Sequence, residues 1–332
     1  MKNHSIQTYP GFTGKGKDSA PRSYVISPED AKVVDFSIKL GRPLLIEGEA
    51  GCGKTRLAAA IATEQGLAAE DLIVIPVRSS SKANDLLYRF DALRRLQDSQ
   101  CQNSERNERS AWAHNYIRLE PLGRAILESK PCVILIDEID KADSDFANDL
   151  LHVIDQFEFP IDEIPREESD KAFEDTGELR YMVKGSGKLR PIVVFTSNRE
   201  NPLPLPFLRR CVYLELKFPN EREELIEIVE LNLKKEAQER ESSVLVDLSS
   251  GIINSAVEAF LKIREAAEKN NAMKKPATAE LIDWVHALHW EPHQQKHIST
   301  ITPPYWKLLF RSATDIEAHQ QYAQSVNQRA RK

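Results

Sequence analysis

The chain has 332 residues, of which 41% are hydrophobic and 29% are charged, and its formal net charge at pH 7 is −6. This length is sufficient for two domains with a sizeable core, and the composition is that of an ordinary globular protein. The acidic balance gives no electrostatic reason for nonspecific binding to DNA or to a membrane surface. We therefore expect no membrane partner, and the composition argues against a nucleic-acid partner without excluding one.

The cysteines and the apolar stretches indicate the cellular compartment in which the protein is expected. Cys52, Cys101, Cys132 and Cys211 show no C-x-x-C spacing, which favours structural thiols in a reducing environment. No apolar stretch approaches the roughly 20 residues needed to span a bilayer, and residues 1–24 lack the apolar core of a secretory signal. We therefore expect a cytoplasmic protein.

The first elements in chain order are a polar arm, a helix and a strand. Residues 1–23 are rich in Gly, Ser and Lys, so we expect a loosely held arm. Ser27 followed by Pro28 is typical of a helix start, and Gly41 is typical of a helix end. The apolar run at 43–47 then predicts a buried strand.

The most informative stretch follows this strand and fits G-x-x-x-x-G-K-[ST], with a helix-forming run at 56–65 behind it. Glycines let backbone N–H groups turn toward phosphates, and the positive end of the helix dipole favours the same anion. Lys54 is expected to reach the β- and γ-phosphates, and the Thr55 hydroxyl to take one Mg²⁺ position. The candidate phosphate-binding residues are Gly48, Glu49, Ala50, Gly51, Cys52, Gly53, Lys54, Thr55 and Arg56.

Four further apolar runs follow the loop, at 71–78, 132–136, 191–195 and 211–218. Short apolar runs that alternate with helical patterns are typical of a parallel sheet covered on both faces. The sequence therefore predicts an α/β fold with a five-stranded parallel sheet.

The segments between these runs differ in character. Residues 82–129 are heavily charged with a helical pattern, and residues 144–157 place apolar side chains at the spacing of an amphipathic helix. Residues 159–190 are acidic and then basic, and contain Gly185 and Gly187, so we expect a hairpin or loop insertion there.

Strand signals cease after Pro219, and amphipathic helices are predicted over 221–235, 252–267 and 278–288. An α/β core followed by an all-helical domain is the resulting prediction. The predicted parts are the arm at 1–23, the core at 24–219, the helical domain at 220–310 and a polar tail at 311–332.

Two acids end the third apolar run. Asp137 and Glu138 follow directly after the strand pattern at 132–136, and open parallel sheets bind their ligands at the carboxyl ends of their strands. Asp137 is expected to act through Mg²⁺, opposite Thr55. Glu138 is expected to act as the general base that polarises an attacking water.

Together these motifs resemble the AAA+ ATPases and, within that class, the MoxR-like group. The stretches that carry the resemblance are LGRPLLIEGEAGCGKT, DLLYRFDALRR at 85–95, DEIDKAD at 137–143, VFTSN at 194–198 and FLRRCVYLELKFP at 207–219. They cover roughly residues 24–219. The resemblance implies a P-loop core with a helical lid, and ATP and Mg²⁺ as ligands.

The resemblance also implies roles for residues that spacing alone does not assign. Asn198 matches the sensor-1 polar residue, which positions the water and the γ-phosphate. Arg209 and Arg210 match the region of the arginine finger, which enters the neighbouring subunit's site and stabilises the transferring phosphoryl group. The residues themselves leave open which arginine this is, and whether both only cap a helix end. A finger in trans requires a ring, for which the family indicates a hexamer.

The chain departs from the family at one point. The helical lid of these proteins usually offers a sensor-2 arginine near the start of its third helix, and the matching stretch at 276–280 contains none. Lys274 or Lys275 could substitute as point charges, although neither has the guanidinium fork.

The expected function is therefore an ATP-hydrolysing ring that remodels or activates a partner protein in a chaperone-like way. MoxR-like proteins often act with partners that carry von Willebrand factor A domains, and no such domain lies in this chain, so the client is a separate protein. Two alternatives stay open: a GTP- or ATP-driven motor subunit of a DNA restriction complex, similar to McrB, and a switch that binds ATP without hydrolysing it.

Overall fold

The structure is a computed structural model, and it describes residues 12–14, 24–101, 104–165, 181–186, 190–239, 250–290, 298 and 301–330. Most of the predicted arm at 1–23 lies outside these residues, and so does the middle of the predicted insertion at 159–190. Among the described residues, no helix combines the length and the apolar character needed to cross a membrane.

The chain forms two compact units. The first contains Pro28–Glu47 and Ala58–Leu214, and the second contains Gly48–Leu57 and Glu215–Lys332 together with the segment Gly14–Ser27. The glycine loop therefore belongs to the same unit as the C-terminal helices.

The first unit is built on a five-stranded sheet. Its strands are β1 (Leu44–Glu47), β2 (Leu72–Pro76), β5 (Val133–Asp137), β8 (Ile192–Ser197) and β9 (Val212–Glu215), in the order β2-β5-β8-β1-β9. Neighbours pair in parallel from β2 to β5, from β5 to β8 and from β8 to β1. The central strands are buried along their length, as covered parallel strands must be. The predicted five-stranded parallel sheet is confirmed.

Helices precede and connect these strands along the chain. They are α1 (Pro28–Leu40), α2 (Lys54–Glu64), α3 (Ala92–Ser99), α4 (Ser104–Ser110), α5 (Pro121–Glu128), α6 (Ser144–Gln156) and α7 (Leu205–Arg210). Helix α6 shows why these elements form where they do. The Asp143 side chain caps it by accepting a hydrogen bond from Phe146 N at 2.8 Å, and Phe146, Leu150 and Leu151 bury its apolar face.

Two short antiparallel pairs accompany the main sheet. Strand β3 (Tyr88–Phe90) pairs with β4 (Ile117–Leu119), and β6 (Glu158–Pro160) pairs with β7 (Met182–Lys184). The second pair matches the hairpin expected within 159–190. The first pair was not predicted, because β3 and β4 are three residues long, each with a central arginine, and are too short to show a strand period within the charged, helical pattern over 82–129.

The second unit places a helical core beside the glycine loop. Its helices are α8 (Arg222–Glu239), α9 (Ser250–Lys269), α10 (Thr278–Trp290) and α11 (Ala313–Ala330). Leu225 and Val229 from α8, Phe260 from α9 and Trp284 from α10 share one fully buried cluster. Trp284 also donates its indole N–H to Pro304 O at 2.8 Å, which satisfies its only polar atom. We call α8 to α11 the helical region.

Candidate functional site

The loop between β1 and α2 has a backbone that only glycine fits comfortably. Gly51 and Gly53 have φ angles of +83° and +97°, which lie in the region that side chains disfavour. A Cβ atom at Gly48 would lie 2.4 Å from Leu216 O. The loop is thus held in a tight curve against its own unit. Its backbone groups are what it offers to a ligand.

Lys54 lies inside this curve. Its side chain is buried, and its ammonium donates to Gly48 O at 2.8 Å and to Glu49 O at 3.0 Å. Helix α2 begins at Lys54, so the orphan N–H groups of its first turn lie at the end of the same loop. A buried ammonium, a curved glycine backbone and a helix N-terminus together suit a phosphate chain.

The hydroxyl and carboxylate predicted to hold Mg²⁺ are chemically suitable for it. Thr55 is exposed at the start of α2, and Asp137 ends β5 with a partly exposed side chain. Both offer hard oxygen atoms, which Mg²⁺ prefers, and it commonly completes its shell with substrate phosphates and water. Arg56 is exposed next to Thr55, while Cys52 is buried, and burial raises the pKa of its thiol.

The helical region contacts the loop directly, which the sequence did not reveal. Arg264 on α9 donates to Glu49 Oε2 at 2.7 Å, and Lys275 Nζ lies 3.5 Å from Glu49 Oε1. The Thr278 hydroxyl donates to Gly51 O at 2.6 Å. Burial acts to raise the pKa of Glu49, but the hydrogen bond and charge of Arg264, supported by Lys275, outweigh burial and lower it. No local pattern links Glu49 to a residue 215 positions away, so only the fold could identify this contact.

In the first unit, one hydroxyl orients both predicted acids. Thr196 on β8 is fully buried. Its hydroxyl donates to Asp137 Oδ1 at 2.5 Å and accepts from Glu138 N at 2.9 Å. Because β8 is the neighbour of β5 in the sheet, this bridge fixes the strand end that carries the two acids. Thr196 lies in the quoted VFTSN stretch, but its role depends on strand register and was not predicted.

Glu138 presents its carboxylate at this strand end. Its backbone is left-handed, with φ +59°, and its side chain is 34% exposed, so water can reach it. Asn198 Nδ2 donates to Glu138 Oε1 at 3.0 Å, and Lys141 Nζ lies 2.5 Å from Oε2. The hydrogen bond that Lys141 donates to Glu138 raises the pKa of Lys141. The structure thus brings together Asp137, Glu138 and Asn198.

A buried carboxylate fixes the turn that carries Asn198. Asp140 is 1% exposed, and its Oδ2 accepts backbone hydrogen bonds from Asn198 N at 3.2 Å and Glu200 N at 2.8 Å. Asn201 Nδ2 also donates to Asp140 O at 2.8 Å. A carboxylate that accepts several N–H groups is well compensated in the interior. The segment 137–141 therefore supplies both the partly exposed Glu138 and the buried Asp140, which holds the backbone of Asn198, the amide partner of Glu138.

The two arginines at the end of α7 differ in their contacts. Arg210 Nε lies 3.4 Å from Asp155 Oδ2 on α6. The guanidinium of Arg42 donates to the backbone carbonyls of Arg209, Arg210 and Cys211, which holds the helix end. The exposed side chain of Arg209 makes no ion pair with any residue in the described part of the chain. The end of α7 is therefore braced at its backbone, and Arg210 is engaged by Asp155.

We expect Thr196→Val to destabilise the first unit by about 1–3 kcal/mol, because Glu138 N–H and Asp137 would lose their buried partner. Thermal or denaturant unfolding measures this change. Thr196→Ser is the matched control, since it keeps the hydroxyl and removes only a methyl group. Equal stabilities for the valine and serine variants would show that the bridge does not form.

Comparison with known proteins places these features in a family. A family model described as AAA domain (dynein-related subfamily) matches residues 43–211, which is about half of the chain. Two similar solved structures are of the RuvB Holliday junction branch migration motor of Thermotoga maritima and of a threonine-to-valine variant of RuvB from the same organism. The first is 13% identical, with a TM-score of 0.40, over 83% of this chain and 72% of that chain. The second is 15% identical, with a TM-score of 0.37, over 78% and 67%. No curated protein matches the sequence.

Proposed function

Because the chain belongs to the AAA domain family, in its dynein-related subfamily, we propose that it binds ATP with Mg²⁺ and hydrolyses it. The observation that carries this proposal is the carboxylate of Glu138. It is exposed to water at the end of β5, oriented by Asn198 through a 3.0 Å hydrogen bond, and directly follows Asp137. If Glu138 only ended a strand, its carboxylate would not need a hydrogen bond from Asn198 to orient it.

The glycine loop supplies the binding half of the proposal. Backbone N–H groups of residues 48–53 and of the first turn of α2 hold the phosphate chain, and Lys54 leaves the carbonyls of Gly48 and Glu49 to pair with phosphate oxygens. Thr55 and Asp137 would hold Mg²⁺, which supplies charge neutralisation at the phosphates when bound.

Glu138 supplies the proton-transfer half. One oxygen, Oε1, is held by Asn198. The carboxylate accepts a proton from the attacking water as the new P–O bond forms and the bond from the γ-phosphorus to the bridging oxygen breaks, so that ADP leaves with that oxygen. The Lys141 ammonium, 2.5 Å from Oε2, restricts the rotamer of the carboxylate. Asp140 keeps Asn198 in place through the backbone, so the amide is preorganised before substrate binds.

We further propose that Arg209 acts as an arginine finger in the site of a neighbouring subunit. Arg210 is engaged by Asp155 in its own subunit, whereas Arg209 is exposed at a helix end whose backbone Arg42 holds rigidly. A finger in trans makes a closed ring the active species, and the resemblance to MoxR-like proteins supports a hexamer.

We expect Arg209→Ala to keep nucleotide binding and to lower ATP turnover by about 10²-fold, the usual cost of losing one donor to developing charge. Steady-state turnover and nucleotide titration measure the two effects. Arg210→Ala is the comparison variant and should have the smaller effect. Mixing Arg209→Ala with Lys54→Ala subunits should restore part of the activity, because the second supplies the finger that the first lacks. An absence of restored activity at every mixing ratio would exclude a finger acting in trans.

The biological work proposed for the ring is chaperone-like remodelling or activation of a separate protein. Its support is the ordered set of MoxR-like motifs over 24–219, and the partner class that goes with them carries a von Willebrand factor A domain. A Glu138→Gln variant loaded with ATP should retain such a client long enough for affinity capture and identification. A GTP-specific activity or a DNA-stimulated one would instead favour a McrB-like motor.

A further inference from the structure

The glycine loop contains a charge that opposes its proposed task. Glu49 follows Gly48 directly, and a carboxylate in a loop that binds phosphates repels the anion by Coulomb's law. The Glu49 side chain is 45% exposed and its carboxylate is directed to the helical region. The backbone geometry of the loop therefore does not require an acid at this position. The structure therefore has to neutralise Glu49 if the loop is to hold an anion.

Arg264 is built to supply that neutralisation. The residue is 8% exposed, and its guanidinium carbon lies 3.5 Å from the centroid of the Phe218 ring, a favourable cation–π stack. One arm of the guanidinium donates to Pro276 O, and the other donates to Glu49 Oε2 at 2.7 Å. The stack on Phe218 and the hydrogen bond to Pro276 O hold the guanidinium of Arg264 in the orientation in which it reaches the loop.

Two further residues tie the same parts together. Lys275 Nζ lies 3.5 Å from Glu49 Oε1 and 3.0 Å from Glu268 Oε1 on α9, so it shares its charge between the loop and the helix. The Thr278 hydroxyl at the start of α10 donates to Gly51 O at 2.6 Å. The loop is thus attached to α9, to α10 and to the turn between them.

We propose that Arg264 is a positioning residue that neutralises Glu49 and thereby makes the glycine loop competent to bind a nucleoside triphosphate. The role rests on the proposed nucleotide binding, and it acts through the loop instead of through contact with phosphate. The ion pair also assigns a role to Glu49, because it makes the net charge of the loop depend on the position of the helical region. Movement of α9 away from the loop would expose the carboxylate and weaken anion binding.

The test is a double-variant cycle on nucleotide affinity. Arg264→Met keeps the apolar stem over Phe218 and removes the charge, so the dissociation constant for a fluorescent ATP analogue should rise roughly tenfold. Glu49→Gln in the same background removes the unpaired carboxylate and should return the constant to within about threefold of the parent value. Lys262→Met is the matched control, because Lys262 pairs with Glu258 in the i,i+4 position on the same helix and should leave affinity unchanged.

Thermal unfolding without nucleotide gives a second readout. The shifts in melting temperature caused by Arg264→Met and by Glu49→Gln should be non-additive, because the residues are in direct contact. Additive shifts would show that the pair does not form.

Failure of this inference can be distinguished from failure of the proposed function. If the parent protein binds the analogue but Glu49→Gln fails to rescue Arg264→Met, Arg264 contacts phosphate directly or acts only in folding, and the neutralising role is wrong. If the parent protein binds no nucleotide, the proposed function is wrong and this role falls with it. Rescue with unchanged turnover per bound nucleotide would place the effect in binding, as the proposal requires.

Discussion

Lys54→Ala is expected to abolish detectable binding of ATP. The ammonium is buried in the loop beside the carbonyls of Gly48 and Glu49, and it is the cation that the loop itself offers to the phosphates. Charge-assisted contacts to phosphate are among the strongest in proteins. Titration with a fluorescent nucleotide measures the loss.

The control for this variant is Lys39→Ala on α1, where the exposed lysine pairs with Asp35 in the i,i+4 position. An exposed pair of this kind contributes little, so binding should stay at the parent value. Thermal unfolding of both variants separates loss of the site from loss of the fold. A Lys54→Ala protein that is folded and binds ATP normally would refute the assignment of the loop.

Glu138→Gln is expected to lower ATP turnover by about 10³-fold or more while binding stays intact, a loss within the range for a missing general base. The glutamine oxygen can still accept the hydrogen bond from Asn198, but the amide cannot take a proton from water. The variant should therefore hold ATP on the protein, which a filter assay or a chase with unlabelled nucleotide detects.

Glu128→Gln on α5 is the matched control, since Glu128 pairs with Lys130 at the surface and should leave turnover unchanged. Parent-like turnover in Glu138→Gln would mean that another group accepts the proton.

The parts of the molecule that could be predicted from the sequence are those whose structure follows from a pattern of neighbouring residues. The apolar runs that form β1, β5 and β8 were legible because buried parallel strands are uniformly hydrophobic. The glycine loop was legible because glycine, lysine and threonine are each needed at a fixed place. The helix end at Gly41 followed the same logic, and Gly41 has a positive φ angle.

The remaining parts of the site depend on contacts between distant segments. Thr196 acquires its role from the pairing of β5 with β8, and Arg264 from the approach of α9 to Glu49. The proposed preference for Arg209 over Arg210 rests on the ion pair between Arg210 and Asp155 on α6. The sequence left open whether Lys274 or Lys275 substitutes for the missing sensor-2 arginine, and the structure adds that Lys275 is paired with Glu49 and Glu268.

The most direct test of the account is the turnover of ATP and of GTP per subunit, with and without Mg²⁺, over a range of protein concentrations. We predict saturable, Mg²⁺-dependent hydrolysis of ATP that Glu138→Gln removes. The rate per subunit should rise with concentration as subunits assemble and share Arg209. A purified, folded protein that binds ATP and fails to hydrolyse it at any concentration would contradict the account.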